Sequence, residues 1–548
     1  MIPNKKIIMY FIPLFVVIAG CTKLKEDLGS NLTSVQAASS LGAAGTGLLL
    51  QAAYVDLTGP FPYQDGVFSL EENTSDESLV PTRGGDWDDN GVWRVLHAHT
   101  WNADHDQIKN VFNSLNKLNF DATNVLAFGP TKAQAAEARF LRAISLYYLL
   151  DLYGQFPFRN PGDNLLNPPT VKIGSDGVAF IISELTTILP DIPAANGNTQ
   201  ANTDAVKFLL MKCYLQKGVY SNTPGTPIKS TPTFDAADMQ QVITLGNSII
   251  NSAKYSYTPN YFDNFTVNNG TTSNENIFSY PNKSGVGVNH AGVESRWNMT
   301  LHYNSYTPNN PNAGWNGFST ISDFYSSFAT TGAVVFGPPD TALDSRLGGR
   351  VLSNLNSTKT SGIRPGLLVG QQYNENGVAE KDRKGAPLAF TPTIAANMIE
   401  TGSNLEVTGI RVVKYTPDYA NYGGPAGNWL MFFRYPDVVL MVAEAKLRTG
   451  DAASALTLVN GLRVARGAAP VATLPLVNAS NVDDPNTLLA ERGRELYWES
   501  FRRTDLIRFG VFLKPWGLKP TDNPKNIVFP VPSQSLAANP NLKQNSGY

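Results

Sequence analysis

Cysteine is nearly absent from this chain: two in 548 residues, Cys21 and Cys213, which excludes a disulfide framework. Cys213 stands in the apolar stretch FLLMKCYLQKG and reads as a small buried hydrophobe. Charge is scarce too. Lys+Arg total 43 against Asp+Glu 45, a formal net charge of -2, so no basic face for nucleic acid and no acidic tail is expected. No G-x-S-x-G, Walker loop, Rossmann fingerprint or helical H-E-x-x-H occurs, which removes the common nucleophile, phosphate and zinc chemistries. What remains is neutral and polar, rich in Asn, Ser, Thr and Gly, with 22 Tyr. Such a composition suits a surface that hydrogen-bonds uncharged ligands. At this length two or three lobes are expected rather than one core.

The apolar run Ile7 to Ala19 falls short of the roughly 20 residues that span a bilayer. Preceded by Lys5 and Lys6 and followed by Gly20-Cys21, it reads as a secretory signal. Its I-A-G-C ending resembles a bacterial lipobox, with Ile18 where Leu is usual, so residues 1–20 are expected to be removed and Cys21 lipidated. Each buried acyl methylene contributes about 0.8 kcal/mol, so several chains on one cysteine moor a domain to a membrane. Thr22 gives no inner-membrane retention signal, and Lys25-Glu26-Asp27 resembles a short surface-export tag.

Helical periodicity is clearest from Ala135 to Phe158. Ala138, Leu141, Ser145, Tyr148, Leu149 and Leu152 form one apolar stripe, and Ala136, Phe140, Ala143 and Tyr147 a second opposite it. A helix apolar on two sides must lie between neighbours. Small residues one turn before aromatic ones resemble the tetratricopeptide A-x3-F pattern, and Gly154 stops the helix. Further helices are expected at Leu41–Leu57, Asp104–Leu126, Val178–Leu189, Ala205–Tyr220, Asp235–Ser252, Leu430–Thr449, Ala452–Ala465 and Thr487–Phe509. Tyr255 to Tyr422 has almost no helical period. The expected fold is therefore mainly α: a tetratricopeptide-like paired-helix scaffold (21–254 and 430–548) interrupted by an irregular, loop-rich ligand-binding lobe (255–429).

Three ordered motifs carry a family resemblance. Arg434-Tyr435-Pro436-Asp437 to Met441 with Ala443-Glu444-Ala445 form the first. Glu491, Arg492, Arg494, Glu495, Leu496, Glu499, Arg502, Asp505, Leu506 and Arg508 to Gly510 form the second. Phe529-Pro530-Val531-Pro532 followed by Asn539-Pro540-Asn541-Leu542 and Gln544-Asn545 form the third. Together they resemble the SusD/RagB family. The resemblance implies a non-catalytic outer-membrane lipoprotein that captures oligosaccharide and serves a SusC-like TonB-dependent transporter. The motif residues themselves read as structural, Arg492/Glu495/Glu499 and Arg502/Asp505 as ladders along one helix.

Two stretches are candidates for ligand contact. Ser75 to Asn102 offers Asp76, Arg83, Trp87, Trp93, Trp101 and Asn102; Tyr255 to Phe328 offers Trp297, Tyr303, Tyr306 and Trp315. Flat rings match the C–H faces of sugars, while carboxylates, amides and guanidinium match their hydroxyls. If these rings line a ligand cleft, alanine at Trp87, Trp101, Trp297 and Trp315 together should spare thermal stability; if they are core, it should not. Asp86, Asp88 and Asn90 match half of a calcium loop, but the closing position is His97. His97, His99 and His105 lack the pattern of a zinc site. No cofactor is expected. The alternatives are peptide or glycoprotein capture by the same architecture, a glycoside hydrolase using carboxylates such as Glu275, Glu294 or Asp323, and a structural envelope adaptor.

Overall fold

Thr131 opens the central helix, Lys132–Tyr153: its hydroxyl accepts the Gln134 backbone N–H while the Gln134 side chain accepts the Thr131 N–H. The helix ends at Gly154, and both apolar stripes, from Ala136 to Leu152, are buried. These coordinates are a computed structural model describing residues 34–548 apart from 221–230, 287–291, 306–313, 332–343, 349–363, 375–377, 422–423, 479 and 482. The expected leader, Cys21 and Tyr306 lie outside the described residues.

The neighbours demanded by the two stripes are present. Ser34–Val55 and Asp106–Ala127 pack on one side of the central helix and Gly174–Ile188 on the other. Thr203–Gln216 follows on Gly174–Ile188, and Ala236–Ile250 on Thr203–Gln216. The next helix in space, Tyr435–Arg448, comes almost two hundred positions later in sequence and is followed by Ala452–Ala465. This is a tetratricopeptide-like stack whose continuity crosses a long insertion. Gly246 permits the crossing contact, since a Cβ there would stand 2.2 Å from Val442 Cγ2. The strand Leu430–Arg434 returns from the insertion by pairing antiparallel with Asn276–Tyr280 near its start. Between those strands the described residues form turns, short helices and two-stranded sheets. Among the described residues no helix is long and apolar enough to cross a membrane.

Three expectations about the C-terminal region need correction. The helix expected over Leu430–Thr449 begins at Tyr435, since Leu430–Arg434 is taken up as a strand against Asn276–Tyr280. The single helix expected over Thr487–Phe509 is two, Leu488–Leu496 and Arg502–Arg508, parted by a turn in which Trp498 (φ 58°) and Ser500 (φ 66°) are left-handed. Nor do the charged residues form ladders along one helix. Glu495 accepts Arg434 at 3.1 Å and Arg466 at 2.7 Å, Glu499 accepts Lys414 and Arg434 at 2.5 Å, and Arg492 spans Asp437 and Asp505. The break is what frees these groups to reach elsewhere. Ser500 N–H donates to Glu72, the Trp498 indole to the Glu77 carbonyl, and Arg502 to Asp76.

The ion network is buried: Arg434, Arg466, Arg346, Glu275 and Glu495 all have side chains at most 1% exposed. Burial raises the Glu495 carboxyl, but the Arg466 and Arg434 guanidiniums outweigh it and hold it down to about 2. Removing one member leaves an uncompensated charge in a medium that cannot solvate it. We therefore expect Glu495→Gln to lower unfolding free energy by about 3–5 kcal/mol in denaturant titration, far beyond a surface ion pair.

Glu72 behaves oppositely. Desolvation raises its carboxyl to about 7, with the Ser500 N–H, Lys414 and Arg296 only partly offsetting it. A carboxyl raised on folding keeps a proton that the unfolded chain has released, so its contribution is lost as pH rises from the ordinary value of 4.5 to about 7. Glu72→Gln should therefore flatten the pH dependence of stability between about pH 5 and 7, by up to about one proton relative to the unaltered chain.

Candidate ligand-binding site

Arg83 founds the loop surface. It ends the strand Thr82–Arg83, which pairs parallel with Ile399–Glu400, and the Arg83–Asp86 backbone bridge turns the chain sharply outward. The Arg83 side chain points the other way, into the protein. Its guanidinium donates to the Leu405 carbonyl at 3.1 Å, to Thr408 O at 2.8 Å and to Ser319 Oγ at 3.2 Å. Arg411 shares two of those acceptors, Ser319 Oγ and Thr408 O, and adds Asn316 Oδ1 at 2.8 Å. Two buried cations thus bind three loops through neutral oxygens. Desolvation lowers Arg83 to about 10, still charged at neutral pH.

On this base sits an aromatic layer. Trp87, Asp89 and Asn90 all have positive φ, a conformation costly for residues with a Cβ and held here by the surroundings. The Trp87 indole donates to the Trp315 carbonyl at 2.7 Å and lies over Gly317, where a Cβ would come within 2.3 Å of the ring. Trp87, Trp93 and Phe318 meet edge to face, with centroids 5.2–5.4 Å apart. Trp93 and Phe318 are buried, whereas Trp87 and Trp315 are half-buried.

The rim is polar. The half-buried Tyr303 donates its hydroxyl to the exposed Asp86 carboxylate. The Arg383 guanidinium stands 3.9 Å from the Tyr303 ring centroid and donates to Glu406 at 2.8 Å. Glu406 also meets His302 Nε2 at 2.9 Å. Desolvation lowers the His302 ring to about 4, and Glu406 offsets that only in part, so the ring is neutral at ordinary pH.

The structure brings together Arg83, Trp87, Trp93, Tyr303 and Trp315, and disperses the other candidates. Asp76 is bound to Arg502 at 2.6 Å. Trp101 is 4% exposed, donates to Tyr548 Oη at 2.7 Å and packs on Phe529. Asn102 is exposed and accepts the Asp104 N–H at 3.0 Å. Trp297 is wholly enclosed, at 0% exposure. Of the half calcium loop, Asp86 serves Tyr303, Asp88 pairs with Arg94 at 3.0 Å, and Asn90 is exposed. Among the described residues no three His, Cys, Asp or Glu side chains converge as metal ligands. His97, His99 and His105 are buried apart, on Gly517 O, Asp522 and Val92 O respectively. Arg383, Glu406 and Arg411 were not singled out from sequence: KDRKG reads as an ordinary charged turn, and nothing near it marks a ring partner.

The sequence profile of the SusD family matches residues 236–521. The chain is 24% identical over 515 residues to the starch-binding protein SusD of Bacteroides thetaiotaomicron, covering 88% of this chain and 85% of that one. It is similar in structure to a SusD-like protein of Bacteroides fragilis, with TM-score 0.67 and 19% identity over 92% of this chain and 97% of that one. It is also similar to surface glycan-binding protein A of Bacteroides thetaiotaomicron, solved in complex with laminarihexaose, with TM-score 0.61 and 16% identity over 92% and 99% of the two chains.

Burial separates the tryptophans by consequence. Trp297→Ala should cost about 3–5 kcal/mol, read as a fall in melting temperature, because it empties an enclosed site. Tyr303→Phe removes only a hydroxyl at an exposed carboxylate and should cost less than about 1 kcal/mol.

Proposed function

The chain belongs to the SusD family, and on that premise we propose that it holds a neutral oligosaccharide at the cell surface and passes it unaltered to a SusC-like TonB-dependent transporter. The observation that carries this reading is the half-exposed aromatic layer of Trp87, Trp315 and Tyr303, braced from beneath and rimmed by Asp86 and Arg383. Sugar rings present C–H faces that stack on such surfaces and hydroxyl edges that suit a carboxylate and a guanidinium. The names of its relatives, one starch-binding and one solved with laminarihexaose, agree with carbohydrate as the ligand class. In this reading the lipid on Cys21 tethers the chain to the outer membrane, and the helical stack faces the transporter.

Binding without chemistry is supported by where the carboxylates lie. A glycoside hydrolase needs two acids facing each other across the scissile bond. Glu275 is held by Arg434 and Arg466, Glu294 accepts the Ala426 N–H, and Asp323 is exposed at the start of a short helix. Within the cluster, Asp86 and Glu406 are engaged by Tyr303 and by Arg383 with His302.

An array of neutral glycans and peptides probed with the purified chain tests the reading. Saturable retention of glycan without released product is expected. Trp315→Ala combined with Tyr303→Ala should weaken it at least tenfold, about 1.4 kcal/mol or more, with the melting temperature little changed. Retention of peptides alone would transfer the site to the peptide-capture alternative. Glycan binding indifferent to the double variant would remove the aromatic layer from the mechanism.

A further inference from the structure

A second concavity lies on the helical scaffold, built from elements the aromatic layer does not use. Its walls are the outer face of Asp106–Ala127, the loop that follows the strand Gln155–Phe158, and the C-terminal helix Ser533–Ala538 with Leu542 beyond it. The cavity measures about 750 Å³, within the range of small-molecule sites. Phe120 from the helix, Phe128 just past its end and Phe158 from the strand supply rings to two walls. Leu165 edges it, 60% exposed, with Phe120 40% exposed opposite the solvent. Large apolar side chains so exposed around one hollow call for an occupant.

The chemistry of that occupant follows from what the walls have already spent. Asn116 donates to the Phe112 carbonyl, Asn119 to that of Pro157, and Asn539 to that of Pro169. Arg159 is committed to the loop itself, donating to the Asn164 and Asn167 carbonyls at 3.1 and 2.5 Å, which holds the Leu165 wall in place. Lys117 is paired with Asp56 and Asp121. The amides and cations named here are therefore turned to the protein's own oxygens, and what faces the hollow is chiefly ring and aliphatic surface. Asn113, Asn124 and Ser535 add polar edges, yet most of the wall would strip water from a bare sugar's hydroxyls without replacing it, a poor match. It is equally poor for an ion.

We propose that this hollow is a binding site for an uncharged aromatic group, free or as a substituent of a larger ligand. It neither overlaps the aromatic layer nor rests on the glycan reading.

N-Phenyl-1-naphthylamine, an uncharged aromatic fluorophore, is the probe. Titrated into the purified full chain in detergent-free buffer, it should give saturable enhancement at about one probe per chain. Phe120→Asp and Leu165→Asp should each weaken binding at least tenfold. Both positions are exposed, so an unchanged melting temperature separates loss of the site from loss of the fold. Trp315→Ala with Tyr303→Ala should leave the titration unaltered, which keeps this result distinct from that of the glycan array. Non-saturating enhancement, or saturation indifferent to both aspartates, would overturn the proposal. So would a doubling of mass in light scattering that Leu166→Asp abolishes, Leu166 being 91% exposed beside Leu165, because the face would then be a contact between copies of this chain.

Discussion

Arg434 stands where the strand Leu430–Arg434 hands over to the helix Tyr435–Arg448, and its guanidinium reaches Glu275, Glu495 and Glu499. Glu275 belongs to the inserted lobe, Glu495 to the helix Leu488–Leu496, and Glu499 to the turn after it. Arg466, just past Ala452–Ala465, closes the circuit by holding both Glu275 and Glu495. Helical stripes can stack repeats along an axis, but they do not specify how a loop-rich insertion sits on that stack. Buried charge does. A displacement that separates any of these partners strands an ion in the interior, so one arrangement is far below its alternatives. The insertion can consequently be poor in regular structure and still be held in place.

The same logic recurs with neutral acceptors beneath the aromatic layer. Among the described residues, Arg83 and Arg411 have no carboxylate at hydrogen-bond distance; they draw on carbonyls, Ser319, Thr408 and Asn316. Desolvation accordingly lowers both, whereas Arg434 and Arg466, which have carboxylates, are raised against the same desolvation. Loops pinned through carbonyls are fixed in backbone position without placing extra negative charge beneath the rings. That leaves Asp86, at the rim, as an exposed acid of the layer.

How far sequence alone reaches here depends on the range of the deciding contacts. The pattern from Ala136 to Leu152 is local, repeating every three or four residues, and it identified a helix enclosed on two sides along with the neighbours that enclose it. The interruption at Tyr497 to Phe501 was not legible, because its cause is remote: Ser500 meets Glu72 across 428 positions and Glu499 meets Arg434 across 65. The tryptophans fail to sort for the same reason. Trp87 and Trp101 sit in similar polar contexts, yet Trp87 is paired with Trp315 at the surface and Trp101 with Tyr548 at the far end of the chain. Trp297 lies on a four-residue helix, too short for any period to mark its inward side.

The way the layer is braced also constrains how a ligand can be held there. Ordering a free side chain on binding costs roughly 0.5–1.5 kcal/mol each, and that cost disappears when the ring is already fixed. Trp87 is fixed through its indole N–H, and Tyr303 through Asp86 on its hydroxyl and Arg383 over its face. The bracing consumes polar capacity: Tyr303 has its donor engaged, and Arg383 donates to Glu406, which His302 also meets. A ligand must share these groups or use what is left. Affinity should then come mainly from ring faces and excluded water, with selectivity from the few remaining positions on Asp86 and Arg383. Such a surface suits a partner that must later be released, since stacking contacts loosen without stranding a buried charge.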